Sequence, residues 1–109
     1  MDKSNALAAL AALAQPTRLD VFRLLIRSGP EGLAAGEIAA RLEVRPNTLS
    51  ANLATLQQAG LIGGTREGRS IRYRADLEGM RGLLAFLMED CCGGRAADCA
   101  PILDTLTCP

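Results

Sequence analysis

The sequence of 109 residues contains no histidine and no tryptophan, and only 3% of it is aromatic. Without histidine, neither a histidine-based catalytic triad nor a histidine general base is available. The glycine motifs that bind phosphates and dinucleotides are missing as well. A thiol oxidoreductase is the nearest enzymatic alternative, but the sequence has no C-x-x-C pair. We therefore predict that the protein is not an enzyme.

The sequence also lacks a run of about 18 apolar residues, so we predict no membrane span. Its N-terminus has neither the basic start nor the long apolar stretch of a signal peptide, and we expect a reducing, cytoplasmic location. Apolar residues make up 49% of the chain, and alanine and leucine, which favour helices, are common among them. The length predicts a single domain, residues 1–109, that ends in a cysteine-rich tail at about residues 91–109.

The formal net charge is zero, but the charges are distributed unevenly. Residues 41–74 contain six arginines and two glutamates, whereas residues 75–109 contain two arginines and six acidic residues. A basic middle next to an acidic end indicates that the middle contacts an anionic partner. An ordinary solvated surface explains the same charges equally well.

The spacing of apolar residues predicts five helices, at about residues 4–14, 17–29, 35–44, 47–60 and 77–90. We expect Gly60 to cap the fourth of them. The core-facing residues that we predict from this spacing are Leu19, Phe22, Leu25, Ile26, Ile38, Leu42, Leu49, Leu53, Leu56, Met80, Leu83, Leu84, Leu87 and Met88.

Between the fourth and fifth helices the period changes from helical to extended. Ile71 and Tyr73 alternate with Arg72 and Arg74, which is typical of a half-buried strand, and a Gly-rich basic turn precedes them. The predicted fold is mainly α with a small β-hairpin, in the order α-α-α-α-β-β-α. Two short helices joined by a tight break and followed by a hairpin form a winged helix-turn-helix.

The fourth helix carries the candidate DNA-reading surface. Leu49, Leu53 and Leu56 share its core face, and small or hydrogen-bonding residues occupy the opposite face. Residues 46–65 contain no charge, which is unusual for a solvated helix but fits entry into a major groove. Guanidinium groups before the helix and on the hairpin suit DNA phosphates; a solvated hairpin is the alternative. The DNA-binding candidates are Arg45, Asn47, Thr48, Ser50, Ala51, Thr55, Arg66, Arg69, Arg72 and Arg74.

Three stretches, LAQPTRLDVFRLL, NTLSANLATLQQAGLI and REGRSIRYR, resemble in order and spacing the signature stretches of the ArsR/SmtB family of metal-responsive transcriptional repressors. The resemblance covers about residues 5–90. It implies a homodimeric winged helix that leaves double-stranded operator DNA, an inverted repeat, when metal binds. It also implies a dimer interface built from the first and last helices, with Leu7, Leu10, Leu13, Leu84 and Leu87 as its residues.

The sequence departs from this family at its inducer sites. The third predicted helix, residues 35–44, lacks the Cys-x-Cys box of the best-known arsenic sensors, and no histidine is available for a zinc site on the last helix. All four cysteines instead fall in the tail DCCGGRAADCAPILDTLTCP. Some arsenic-type members carry a similar cysteine pair with a third cysteine after the last helix.

A site made only of thiolates selects soft ions, such as trivalent arsenic or antimony, Cd(II), Hg(II) or Cu(I), or Zn(II) with four cysteines. Cys91, Cys92 and Cys99 are the predicted ligands, and Cys108 is at most an accessory one. Our first hypothesis is therefore a repressor that needs no cofactor to bind DNA and releases it on binding As(III), arsenite or possibly antimonite. A Cd(II), Hg(II) or Zn(II) sensor, a structural zinc site, a thiol-disulfide switch and inert thiols stay open as alternatives.

Overall fold

The computed structural model describes residues 1–89. In chain order, the elements are α1 (Lys3–Leu13), α2 (Pro16–Ser28), a 3₁₀ turn (Gly29–Glu31), β1 (Leu33–Ala34), α3 (Ala35–Leu42), α4 (Pro46–Gln58), β2 (Ile62–Glu67), β3 (Ser70–Ala75) and α5 (Leu77–Leu87). This order confirms the predicted winged helix-turn-helix with five helices. No helix in the described part of the chain is long and apolar enough to cross a membrane.

The sheet has one strand more than we predicted. Leu33 and Ala34 pair antiparallel with Tyr73 and Arg72, which gives three strands in the order β1-β3-β2. A strand of two residues is too short to produce a periodic pattern, so the sequence carried no sign of it. Its consequence is that the hairpin is joined to the residues just before the helix-turn-helix.

Helix boundaries follow from local capping. Asp2 Oδ1 accepts a hydrogen bond from the Asn5 amide at 2.7 Å and begins α1, and Gln15 Oε1 accepts one from the Arg18 amide at 2.8 Å at the start of α2. Asp76 Oδ1 accepts one from the Gly79 amide at 3.0 Å and begins α5. Each bond satisfies an amide that the first turn of a helix leaves without a partner.

The hydrophobic core lies between the helices and one face of the sheet. Leu49, Leu53 and Leu56 of α4 and Ile38 of α3 are fully buried, as predicted, and Leu42 is partly buried against the same core. The whole buried apolar set is Ala6, Ala9, Ala12, Val21, Phe22, Leu24, Leu25, Leu33, Ile38, Leu49, Leu53, Leu56, Leu61, Ile62, Tyr73 and Leu83.

The predicted core face of α2 was partly wrong. Phe22 and Leu25 are buried, but Leu19 and Ile26 are exposed, and Val21 and Leu24 take their places. The buried stripe is centred on Val21 and Leu25, which follow one another at i and i+4. Leu19 and Ile26 lie roughly 100–120° away from Leu25 around the helix and so face away from α1, α4 and β3.

Helix α5 ends earlier than predicted, at Leu87 rather than residue 90, and the Gly93-Gly94 pair lies outside the described residues. Leu83 is buried and Met80 is partly buried, but Leu84 and Leu87 are exposed, which corrects their assignment to the core of the single chain. The contact between α4 and α5 depends on glycine: a Cβ added at Gly79 would clash with the Gly60 carbonyl oxygen. Gly60 itself ends α4 with a φ of 78°, as predicted.

Candidate nucleic-acid interface

Helices α3 and α4 form the helix-turn-helix through a short turn at residues 43–45. Glu43 ends α3 in the left-handed conformation, with φ 54° and ψ 46°, and the Val44 amide donates to the Ala39 carbonyl at 3.1 Å. Pro46 then occupies the first turn of α4, where its missing amide costs no hydrogen bond. These local bonds fix the direction in which α4 leaves the turn.

The outward face of α4 is polar, uncharged and made of small side chains. All of its predicted reading residues are exposed except Thr55, which is half-buried and whose hydroxyl donates to the Ala51 carbonyl at 3.1 Å. Asn47 Oδ1 accepts from the Thr48 amide at 2.9 Å, so part of its hydrogen-bonding capacity is used at the helix start. Asn47, Thr48, Ser50, Ala51, Ala54 and Gln58 form this exposed face.

The wing is the β2–β3 hairpin, closed by a two-residue loop of Gly68 and Arg69 between the paired Glu67 and Ser70. Arg66 and Arg69 are both exposed, at or next to its tip. Neither guanidinium has a hydrogen bond or ion pair within the described residues. The tip therefore presents two cations that are available to an anionic partner.

The two arginines at the base of the wing are held differently. Arg72 Nε donates to Glu67 Oε2 at 2.7 Å, and its Nη1 donates to the carbonyls of Glu31 and Gly32 at 3.4 and 3.3 Å. Arg74 Nε donates to the Pro30 carbonyl at 2.7 Å. Both side chains thus tie β3 to the segment that precedes the helix-turn-helix, and the DNA contacts predicted for them stay predictions.

Glu67 also sets the charge state of Arg72. Its hydrogen bond and its negative charge raise the pKa of the Arg72 guanidinium above the ordinary arginine value. Arg74 makes one further bond, from Nη1 to the Thr65 hydroxyl at 3.1 Å across the hairpin. The bonds at the wing base are consequently made by a permanently charged donor set.

Two polar residues beneath α4 were missed by the sequence reasoning. Asn52 is 7% exposed and is the one buried polar residue in residues 1–89, and Arg18 Nη1 donates to its Oδ1 at 3.3 Å. The helical spacing does carry a signal, since Asn52 lies only about 60° from Leu49 on the core side of α4. An asparagine at that position needs a buried partner, which the sequence could not identify.

A second exposed surface is apolar. Leu7 and Leu10 on α1 are 57% and 40% exposed, and Leu84 and Leu87 on α5 are 42% and 51% exposed, whereas Leu13 is partly buried against the core. A groove of about 550 Å³ runs along α5 and is lined by Leu77, Met80, Arg81, Leu84, Ala85 and Met88. Most of the predicted dimer-interface leucines are therefore unburied in the single chain.

The predicted ligands Cys91, Cys92, Cys99 and Cys108 lie outside the described residues. Within residues 1–89, no group of three or more carboxylates, thiols or imidazoles is placed to hold a metal ion.

Comparisons with known proteins agree with this geometry. A helix-turn-helix domain family matches residues 13–63, from the end of α1 to the start of the wing. The biofilm growth-associated repressor of Agrobacterium fabrum is 37% identical over 65 residues, which are 60% of this chain and 53% of that protein. The chain thus matches only about half the length of this relative. The HTH-type transcriptional regulator YgaV of Escherichia coli is 31% identical over 88 residues, which are 81% of this chain and 87% of YgaV.

Solved structures extend the likeness to nearly the whole chain. An ArsR-like transcriptional regulator from a Rhodococcus species has a TM-score of 0.70 at 26% identity, covering 97% of this chain and 96% of that one. The chain belongs to the ArsR/SmtB family. HlyU from Vibrio cholerae, at 30% identity and a TM-score of 0.63, covers 80% of this ArsR/SmtB chain and 97% of its own. A homodimeric winged helix-turn-helix DNA-binding domain from Mycobacterium bovis, at 28% identity and a TM-score of 0.65, covers 80% and 81%.

These relatives of the ArsR/SmtB chain are regulators of transcription or DNA-binding domains, which confirms the non-enzymatic prediction. They include repressors and regulators without a stated inducer, so the family alone does not name an inducer for this chain.

Proposed function

We propose that this ArsR/SmtB chain is a homodimeric transcriptional repressor that binds an inverted-repeat operator and releases it on binding trivalent arsenic. The observation that carries the DNA-binding part is the exposed face of α4, uncharged and made of small side chains, beside an arginine-bearing wing tip. A leucine-rich or strongly charged face would be excluded from the major groove by bulk or by ordered water.

In the proposed complex, the start of α4 enters the major groove. Asn47, Thr48 and Ser50 supply donors and acceptors for base edges, and Ala51 allows close approach. Arg45 at the helix start and Arg66 and Arg69 on the wing bind phosphates or a narrow minor groove. Phosphate contacts of this kind predict an affinity that falls steeply as salt increases.

The proposed dimer buries the exposed leucines of α1 and α5. Four large apolar side chains that are 40% exposed or more on two contacting helices form a surface that favours an apolar partner. A second copy of the chain supplies a matching surface by two-fold symmetry. The homodimeric M. bovis relative supports this assignment. Two copies then present two α4 helices to an inverted repeat.

The arsenic part rests on chemistry rather than on coordinates. With no histidine in the chain, a soft-ion site must use thiolates, and Cys91, Cys92 and Cys99 could supply the three that trivalent arsenic takes. The cysteines follow α5 directly in sequence. Closure of three thiolates on an ion would therefore act next to the proposed dimer helix and could alter the spacing of the two α4 helices.

The test measures electrophoretic mobility of operator-region DNA with fully reduced protein, with and without arsenite. We expect arsenite to release DNA from the wild type, and Cys91→Ser, Cys92→Ser or Cys99→Ser to abolish release while DNA binding persists. Cys108→Ser is the matched control and should respond as the wild type does. Release of the Cys99→Ser variant by arsenite would contradict the three-thiolate assignment.

The alternative inducers give different outcomes in the same assay. Release by Cd(II), Hg(II) or Zn(II) but not by arsenite would indicate a metal sensor of the same fold, and release by peroxide, reversed by a thiol reductant, would indicate a thiol-disulfide switch. Linkage supplies a second check: operator DNA must weaken arsenite binding by the same factor as arsenite weakens DNA binding. Equal arsenite affinities with and without DNA would rule out arsenite as the inducer.

A further inference from the structure

The half-buried guanidinium of Arg18 joins three helices. Arg18 belongs to the first turns of α2, its Nε donates to the Ala12 carbonyl in the last turn of α1 at 2.7 Å, and its Nη1 donates to Asn52 Oδ1 of α4 at 3.3 Å. The Ala12 carbonyl is one of those that a helix end leaves without an intrahelical partner. The guanidinium therefore connects the end of α1 directly to the middle of α4.

The environment of Arg18 makes an ordinary ion pair an insufficient explanation. No carboxylate of residues 1–89 lies within salt-bridge distance of it, and both of its side-chain partners are neutral oxygens. Asn52 sits in a row of buried leucines, Leu49, Leu53 and Leu56, where an apolar residue would pack without needing a partner. A buried polar pair in such a position more often fixes a particular arrangement than adds stability.

The two helices that this pair connects carry the two proposed binding surfaces. Leu7 and Leu10 project from α1 toward the proposed partner subunit, and Asn47, Ser50 and Ala51 lie on the outer face of α4. The hydrogen bonds run from the α1 backbone to an α4 side chain on the face opposite those reading residues. A change in the position of α1 is transmitted to α4 by the shortest polar route in the described fold.

We propose that Arg18 and Asn52 are a positioning pair that fixes the angle of α4 relative to α1, and thereby the distance between the two reading helices of the dimer. Neither residue touches DNA in this assignment. The inference rests on the proposed homodimeric, DNA-binding function. It adds that operator spacing is read by a buried hydrogen bond distant from the DNA.

The test compares Asn52→Leu with Asn52→Asp in the full-length, reduced protein. Leucine fills the site with an apolar side chain but removes the acceptor, whereas aspartate keeps an oxygen for Arg18 and strengthens the bond by its charge. The DNA probes are a sequence selected by the wild type from a random pool, and variants in which the half-site spacing is changed by one base pair.

We expect Asn52→Leu to bind the selected DNA about 10-fold more weakly and to lose most of the wild-type preference for the original spacing. Its affinity for unselected DNA, its dimer mass in sedimentation and its cooperative unfolding should stay at wild-type values. Asn52→Asp should keep the spacing preference, and Arg18→Met should reproduce the Asn52→Leu result. In the double variant, the two losses should not add, since one hydrogen bond is removed in each case.

Three results would overturn the inference. They are an unchanged spacing preference in Asn52→Leu, an equal loss on selected and unselected DNA, and additive losses in the double variant. If the wild type itself selects no inverted repeat, the proposed function fails instead, so that the two failures are distinguishable. Should Asn52→Leu not fold, Arg18→Met and Arg18→Lys provide the same comparison without altering α4.

Discussion

Helices α1 and α4 have opposite patterns of burial. Helix α1 buries three alanines, Ala6, Ala9 and Ala12, and exposes leucines, whereas α4 buries three leucines and exposes small and polar residues. Both helices pack on the same core, and they contact one another. The difference lies in what each helix presents outward.

This difference indicates two kinds of partner. Buried alanines let α1 lie close to α2 and α4, and leave its large apolar side chains for a surface that must also be apolar. Leucines anchor α4 in the core, and leave a thin hydrogen-bonding face that suits a polar groove. A chain that interacted with neither partner would gain nothing from exposing leucines on one helix and excluding all charge from the other.

The largest expected effect separates a leucine of α4 from a leucine of α1. Leu53→Ala removes a fully buried side chain and should lower the free energy of unfolding by about 2–5 kcal/mol at every protein concentration. Leu10→Ala removes a half-exposed one, and its effect should grow or shrink with protein concentration because it acts on association. Urea unfolding at two protein concentrations measures both. An equal, concentration-independent loss for Leu10→Ala would place Leu10 in the core of the single chain and contradict the comparison.

The second prediction exchanges the same residue types on the two helices. Ala51→Leu adds bulk to the exposed face of α4 and should leave stability unchanged while weakening DNA binding at least about 10-fold, since each lost base contact costs ~1–3 kcal/mol. Ala9→Leu adds the same bulk to the fully buried face of α1 and should cost roughly 1–3 kcal/mol of stability by overpacking. Fluorescence anisotropy with labelled DNA and thermal unfolding provide the two readouts. Unchanged DNA affinity in Ala51→Leu would exclude α4 from the groove.

The sequence predicted α4 well and α1 less well, for a physical reason. The spacing of Leu49, Leu53 and Leu56 has one interpretation, because large apolar residues on an otherwise polar helix must face the core. In α1 nearly every residue is alanine or leucine, so periodicity alone does not distinguish the core face from the partner face. Exposed Leu7 and Leu10 were assigned to the dimer interface through the family resemblance, and their exposure in the single chain is compatible with it.

Long-range polar contacts were beyond the sequence altogether. Arg18 and Asn52 are separated by 34 positions, and Arg74 and Pro30 by 44. Period and charge patterns describe only neighbouring residues, so the internal bonds of Arg72 and Arg74 were not anticipated. The exposed arginines at the tip, Arg66 and Arg69, required only the position of the turn, which the Gly-rich stretch indicates.

The third prediction tests whether the polar side of the molecule contacts phosphates through the wing tip or through its base. Arg69→Ala should lower the slope of log affinity against log salt by about 0.9, the value for one phosphate contact, and leave stability unchanged. Arg74→Ala should leave this slope unchanged and lower stability, because it removes bonds to the Pro30 carbonyl and the Thr65 hydroxyl. DNA titrations at a series of salt concentrations measure the slope. A lower slope in Arg74→Ala would show that its guanidinium also contacts DNA.

The smallest expected effect concerns the turns that end α1 and α3. Glu43 holds a left-handed φ of 54°, which costs a non-glycine residue about 1–2 kcal/mol, whereas Ala14, at the end of α1, has an unstrained φ of −85°. Glu43→Gly should raise the free energy of unfolding by about 0.5–1 kcal/mol once the greater freedom of glycine in the unfolded chain is included. Ala14→Gly adds only that freedom and should be destabilising. Chemical denaturation of both variants at one protein concentration makes the comparison; a destabilised Glu43→Gly would mean that the Glu43 side chain, rather than backbone strain, determines how α4 leaves the turn.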